Sequence, residues 1–300
     1  MSRCRSAAAL LIVAASAATV GCGRAAREQA RARTASLEQA LRPSFFAVAF
    51  HKMGGGHFHA TARFVITPNG DAAGTASTTT TTDVWLDRAG NYRLNETNDR
   101  DGGRQVVLYE RELSTALRYG KMIRRAAEEP EPTQLLEEAL GGPWAAWEVV
   151  AQAAAIEPGP SQLLAGASAA DYRISKGDAM PLTLPSSEPR ALRRWRGTVA
   201  VQTLAGDMLV DERSGALVKA DLTAAFTLTE EQRPMQGEVE VHAVLTDAAA
   251  VPPIERPAAE ELALRQRIVP EQKEMLHGLG GHVPPPTPPP PTKKKKKGHQ

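Results

Sequence analysis

The stretch HKMGGGHFH, residues 51–59, holds three of the chain's seven histidines and has the clearest potential for chemistry in the sequence. Neutral imidazole is a common ligand of zinc and other transition metals. Three consecutive glycines between the histidines indicate a tight turn, because glycine adopts positive φ without steric cost. The stretch therefore has two interpretations, a metal site or a turn with polar edges.

A hairpin turn at the three glycines would decide which side chains share a face. In that register Phe50 lies opposite Ala60 and His51 lies opposite His59, with His57 two residues along on the same polar face. The stretch contains no carboxylate, whereas a structural zinc site has four ligands and a catalytic one has three with supporting groups. We predict at most a weak surface metal site at these histidines, and no cofactor.

Motifs for catalysis are absent from the sequence. It contains no G-x-S-x-G elbow, no H-E-x-x-H motif and no glycine-rich phosphate loop followed by lysine. Adjacent carboxylates such as Glu128 and Glu129 lie in segments predicted to be solvated, and acid–base chemistry needs a dry site that separates pKa values. We predict that the protein is not an enzyme.

The N-terminus has the order of parts of a secretory signal. Arg3 and Arg5 precede an apolar run of 14 residues, 7–20, which is too short to span a bilayer comfortably. Cleavage after Ala17, in an A-x-A pattern, would release a soluble periplasmic protein. Alternatively TVGC, residues 19–22, resembles a bacterial lipobox, although its first residue departs from the usual leucine.

The cysteine count favours the second cleavage. Cys4 leaves with the signal, so Cys22 is the only thiol expected in the exported chain and has no disulfide partner. We predict that Cys22 is acylated, with palmitate-type chains, and becomes the anchored N-terminus of a membrane lipoprotein.

The other end of the chain is a proline-rich spacer with a basic tip. Residues 284–292 are expected to form extended polyproline II, about 28 Å long. The net charge of +2 falls to about −5 without the basic residues of the two ends, so the positive charge is local. We predict contact with anionic phospholipid, lipopolysaccharide or wall polymer; a solvated tail is the alternative. Nucleic acid is not an expected partner. The predicted contact residues are Lys293, Lys294, Lys295, Lys296 and Lys297.

Strand-like runs separated by short turns fill most of the chain between these ends. They are residues 45–50, 57–67, 76–87, 92–97, 104–110, 114–119, 122–126, 171–175, 194–205, 206–211, 215–229 and 237–247. Helical composition or periodicity marks residues 23–41, 133–155 with a break at Gly141-Gly142-Pro143, and 258–279 with a kink at Pro270.

Alternation in the last strands shows that one face of the sheet is apolar. Val239, Val241 and Leu245 alternate with Glu238 and Glu240. Such a face must be covered, and the three predicted helices are the available cover. We predict an α+β, mostly β fold: a curved antiparallel sheet, an unclosed or half β-barrel, covered on its concave face by a few helices.

The expected organisation is a signal at 1–21, a lipidated N-terminus and helix at 22–42, the β domain at 43–257 with a helical insert at 133–155, a helix at 258–279 and a disordered spacer with its lysine tail at 280–300.

This element order resembles the unclosed-barrel group of envelope proteins, which comprises carriers and acceptors of lipoprotein sorting and mycobacterial lipid-carrier lipoproteins. The supporting stretches are DVWLDRAGNYRLNE, LVDERSG and TVGC. The resemblance implies that the concave face holds an acyl chain, a lipid or a lipidated peptide. It also implies an outer-membrane destination facing the periplasm, because Gly23 rather than aspartate follows Cys22.

Two functional hypotheses follow. The first is a lipid-anchored envelope protein that binds a lipid or lipoprotein in the concave face. The alternative is a non-catalytic envelope tether or scaffold acting through its lysine-tipped tail. Trp144 and Trp147 lie three residues apart on one helix face, and they either pack in the core or line a pocket. The candidate pocket residues are Trp144, Trp147, Phe46, Phe58, Phe64, Val218 and Phe226.

Overall fold

Twelve strands pair into one antiparallel sheet in the computed structural model, which describes residues 35–69, 72–164, 167–178, 197–230 and 232–263. The strands are β1 (Gly56–Pro68), β2 (Ala76–Leu86), β3 (Tyr92–Asn98), β4 (Gly103–Tyr109), β5 (Glu112–Leu117), β6 (Ile123–Ala126), β7 (Ala154–Pro158), β8 (Gln162–Leu164), β9 (Ala167–Lys176), β10 (Ala200–Asp211), β11 (Leu217–Glu230) and β12 (Arg233–Thr246).

The sheet is two meanders joined at its centre and left open at its sides. Its strand order is β6-β5-β4-β3-β2-β1-β12-β11-β10-β9-β7, with β8 paired to β9. The first strand, β1, pairs with the last, β12, along its whole length. In the described part of the chain the two edge strands, β6 and β7, do not pair with each other, so the sheet is unclosed, as predicted.

Helices cover one face of this sheet. They are α1 (Pro43–Lys52), α2 (Glu131–Gly141) and α3 (Ala145–Val150), with 3-10 turns at Gly142–Trp144 and Ala151–Ala153 and a helical segment at 35–40. The covered face, called the inner face below, carries Phe58 and Ala60 of β1 and the predicted apolar alternation of β12. In the described residues no helix is long and apolar enough to cross a membrane.

The largest departure from the sequence prediction is that residues 45–50 form part of helix α1 and not a strand. Pro43 occupies the first turn, where its missing N–H costs no hydrogen bond. Phe46, Ala47, Ala49 and Phe50 are buried at helical spacing. The predicted hairpin pairs of Phe50 with Ala60 and of His51 with His59 are therefore wrong.

The glycines of the opening stretch end the helix instead of closing a hairpin. Gly54 and Gly55 have φ values of 81° and 84°. Their N–H groups donate to the carbonyl oxygens of His51 and Phe50, which are last-turn acceptors of α1. The chain thereby reverses from helix α1 on the inner face directly into strand β1.

Smaller departures concern the ends of the helical insert and the last described residues. The predicted helix at 133–155 ends earlier, and its last two residues begin strand β7. The strand predicted at 206–211 continues the one predicted at 194–205 without a break, as β10, which begins at Ala200. Residues 258–263 form coil, a turn and a bridge instead of the start of a helix, and 264–279 lie outside the described residues.

The opposite, outer face of the sheet is covered in part by a segment called the strap, residues 251–262. Val251, Ile254 and Leu262 of the strap pack with outward-facing Trp85 and Val107 in a small second core. Apolar side chains of β2, β4 and β5 are therefore also covered on the outer face, which the sequence prediction of one wet face did not include.

A buried carboxylate fixes the strap to the sheet. Asp87 is 4% exposed and accepts hydrogen bonds from the N–H and side-chain amide of Asn91 across the β2–β3 turn. It also accepts the N–H of Ile254 at 3.0 Å. One side chain thus organises a turn and ties down the strap.

Candidate functional site

The seven candidate pocket residues all belong to the apolar core between the inner face and its helical cover. Six of them are buried, and Phe64 is partly buried. They come from α1, β1, β11, the 3-10 turn before α3 and α3 itself. These elements lie far apart in sequence and are brought together by the central pairing of β1 with β12.

Aromatic rings carry much of this core. The Phe46 ring meets Phe58 edge-on at 5.2 Å between centroids and stacks near Phe50 at 6.0 Å. At the other end of β1, Phe64 and Phe226 are 5.9 Å apart. A Cβ atom on Gly237 would meet the Phe226 ring at 2.2 Å, so glycine is required there to seat that ring. Two pairs of the candidate residues, Phe46 with Phe58 and Phe64 with Phe226, are therefore in direct ring contact.

Polar contacts tie α2 to the N-terminal half of the sheet. The buried Tyr92 hydroxyl donates to the Pro132 carbonyl oxygen at 2.8 Å, and burial raises the pKa of this phenol, which keeps it a neutral donor. Arg104 donates to Glu138 of α2 at 2.8 Å and to Glu96 at 3.1 Å. These contacts lie at both ends of α2.

The far end of the cover is tied to the C-terminal half of the sheet. The Gln152 side chain donates to the Val199 carbonyl oxygen at 3.2 Å, and the Gly177 N–H donates to that of Ala153 at 2.7 Å. Between the two tied ends, Gly142–Trp144 lies over β1, β2 and β12 at the centre of the sheet. The middle of the cover therefore sits over the apolar core residues of the central strands.

Two of the three histidines of the opening stretch, His57 and His59, lie side by side on the outer face of the sheet. His57 Nε2 and His59 Nδ1 both lie within hydrogen-bond distance of Asp83 Oδ1, at 2.9 and 2.8 Å. The His57 ring stacks on Trp85 at 4.6 Å. His51 instead is exposed on helix α1, so the predicted three-imidazole cluster is wrong. In the described residues no group of three or more His, Cys, Asp or Glu side chains is arranged to hold a metal ion.

A third histidine on the outer face, His242, lies between two carboxylates. His242 Nδ1 is 2.8 Å from Asp221 Oδ1, and its Nε2 is 3.0 Å from Glu240 Oε1. Lys219 Nζ forms an ion pair with Oδ2, the other carboxylate oxygen of Asp221, at 2.8 Å. Hydrogen bonds to Asp221 and then to Glu240 raise the pKa of His242, and they outweigh its partial desolvation.

We expect this group to make folding slightly more favourable in acid. The pKa of His242 is raised in the folded state. Its contribution to the free energy of folding is therefore fully present below the unfolded-state pKa of about 6.5. That contribution is lost as the pH rises through the folded-state pKa. His242→Gln should therefore have a lower melting temperature than the wild type at pH 5.5 and the same one at pH 9. The effect should be small because the side chain is half exposed. An equal difference at both pH values would contradict the assignment.

The other predicted sites, Cys22 and the lysines at 293–297, lie outside the described residues. Asp83 and the strap were missed from the sequence. Asp83 is 24 residues from His59, and only the register of β1 with β2 brings them together.

No protein-family model matches the chain, and no curated protein matches it. Solved structures similar to it include LprF from Mycobacterium bovis, with 12% identity, 73% of this chain and 97% of that chain covered, and a TM-score of 0.28. Lipoprotein LppX from Mycobacterium tuberculosis has 12% identity, 72% and 97% coverage, and a TM-score of 0.26. A LolA superfamily protein from Nitrosomonas europaea has 8% identity, 69% and 94% coverage, and a TM-score of 0.21. These matches belong to the group of envelope proteins that the element order resembles.

Proposed function

We propose that this protein is a lipid-anchored cell-envelope binding protein that holds an acyl chain, lipid or lipidated peptide between the inner face and its helical cover. The supporting observation is the construction of that cover. Short helices, interrupted at Gly142–Trp144, lie across the continuous apolar face of an unclosed sheet and are tied to it by polar contacts near their ends.

An acyl chain suits this layer for a physical reason. Each methylene transferred from water into an apolar environment contributes about 0.8 kcal/mol. A chain that enters between cover and sheet replaces apolar contacts such as that of Phe46 with Phe58 by equivalent apolar contacts, so little burial is lost. An interrupted cover can shift in parts, which a single long helix could not do without breaking its hydrogen bonds.

The anchor and location are part of the proposal. Acylated Cys22 would hold the body at the periplasmic side of a membrane, with the outer membrane as the proposed destination, and the function needs no catalytic group. The lysine-tipped tail supports the second candidate, an envelope tether that contacts anionic surfaces, because its positive charge is concentrated at the end of a spacer.

Lipid analysis of the protein purified from membranes tests the proposal. We expect one or more acyl lipids per chain in native mass spectra, also in a Cys22→Ser variant that cannot be acylated and should leave the membrane fraction. The variant separates bound lipid from the covalent anchor. Lipid-free protein that also takes up no added lipid would overturn the binding function. Salt-sensitive sedimentation with cell wall that disappears on removal of residues 284–300 would then support the tether.

A further inference from the structure

One buried polar atom in the helical cover has no hydrogen-bond partner among the residues that the structure describes. Trp144 is 2% exposed, and among the described residues its indole Nε1 has no hydrogen-bond acceptor. A buried indole N–H normally finds a partner, because an unsatisfied donor carries its full desolvation penalty. The exception calls for an explanation.

The surroundings of Trp144 offer an apolar environment. Its 3-10 turn lies over β1, β2 and β12, whose buried inner-face residues include Phe58, Val84 and Val241. Thr82 is a buried polar residue on the inner face of β2, and it does not accept the indole N–H. The donor is thus placed inside the layer where the proposed function puts an acyl chain.

The local backbone adds to this placement. Pro143 has no N–H to donate, and Gly142 has open space where a side chain would begin. The polar ties of the cover are at Tyr92–Pro132, Arg104–Glu138 and Gln152–Val199, on either side of this turn. At the centre, Trp144 therefore presents a hydrogen-bond donor for which the described part of the chain supplies no acceptor.

We propose that the Trp144 indole N–H donates to the carbonyl oxygen of an acyl ester, so that the site prefers ester-linked acyl chains to ether-linked or unsubstituted alkyl chains. This inference rests on the proposed lipid-binding function and names its ligand chemistry. A neutral ester carbonyl accepts one hydrogen bond and brings no charge into the core, whereas a buried carboxylate would need a counter-charge.

Matched lipids and matched variants test this donor. The probes are dipalmitoyl phosphatidylcholine and its di-O-hexadecyl ether analogue, which share headgroup and chain length and differ in the carbonyls. We expect the wild type to bind the ester lipid about tenfold more tightly. Trp144→Phe keeps a buried aromatic ring without the donor and should bind both lipids at the ether level. Trp85→Phe, a change of the same kind on the outer face of the sheet and away from the binding layer, should keep the preference.

The outcomes separate the two proposals. Equal affinity of the wild type for both lipids overturns the ester inference and leaves lipid binding standing, and this measurement does not depend on the folding of any variant. An ester preference that survives Trp144→Phe assigns the carbonyl contact to another group and overturns the role of Trp144. Failure of the wild type to bind either lipid overturns the proposed function together with the inference.

Discussion

Gly55→Ala should destabilise the protein by about 4 kcal/mol, a large part of the 5–15 kcal/mol typical of a folded domain. Gly55 has a φ of 84°, which L-residues rarely adopt. A Cβ atom there would lie 2.1 Å from the Leu86 carbonyl oxygen, and a backbone atom of a paired strand cannot move aside cheaply. The midpoint of urea unfolding measures the loss.

Gly142→Ala is the matched control for this substitution. Gly142 has helical dihedral angles, with φ at −51°, and a Cβ atom there meets nothing within 4 Å. Alanine should be neutral or slightly stabilising at this position, by up to about 1 kcal/mol. If Gly55→Ala unfolds at the same urea concentration as Gly142→Ala, the reversal from α1 into β1 is not as described.

The sheet was predictable because its pattern is local and repeated. Alternation along β11 and β12 fixes which side chains face inward, and the structure buries Leu222, Phe226, Val239 and Val241 as that alternation requires. The turn before β11 is also local: the Asp211 carboxylate accepts the N–H and hydroxyl of Ser214.

Helix α1 was mispredicted because its sequence fits two periods. Phe46, Val48 and Phe50 alternate as a strand would, while Phe46, Ala47 and Phe50 fit a helical face equally well. Six residues are too few to separate these periods. The choice depends on tertiary contact. In the helix, Phe46 and Phe50 pack on the inner face while Val48 points into solvent.

The strap and the Asp83 contacts were beyond sequence reasoning for a different reason. Residues 251–262 have no regular apolar period, and their partner Asp87 is 167 residues from Ile254. Asp83 reaches His57 and His59 through a strand register. Such contacts follow from topology, and the predicted hairpin at residues 51–59 gave β1 the wrong neighbour. Strand parity survives a wrong pairing partner, so Phe58, Phe64 and Phe226 face the inner side although β1 has other neighbours than the predicted ones.

Phe46→Ala should cost about 3–5 kcal/mol in the absence of lipid. Phe46 is fully buried and joins helix α1 to strand β1 through the Phe58 ring, so its truncation leaves apolar volume between the cover and the sheet. Val48→Ala on the same helix is the control. Val48 is 53% exposed, and its truncation should change the free energy of unfolding by less than about 0.5 kcal/mol.

Bound lipid should return part of the stability that Phe46→Ala loses. A ligand that binds only the folded state stabilises it by RT ln(1 + [L]/Kd), about 2.7 kcal/mol at a concentration of 100 Kd. Volume freed by the missing ring lies where the acyl chain is proposed to enter, so lipid should raise the melting temperature of Phe46→Ala more than that of Val48→Ala or the wild type. Equal shifts of the melting temperature in all three proteins would mean that the lipid binds away from Phe46. A loss of unfolding free energy below about 1 kcal/mol in Phe46→Ala without lipid would mean that Phe46 is not part of the core. The combination of a large loss and a selective recovery is expected only if the layer under α1 is both the core of the fold and the place of the ligand.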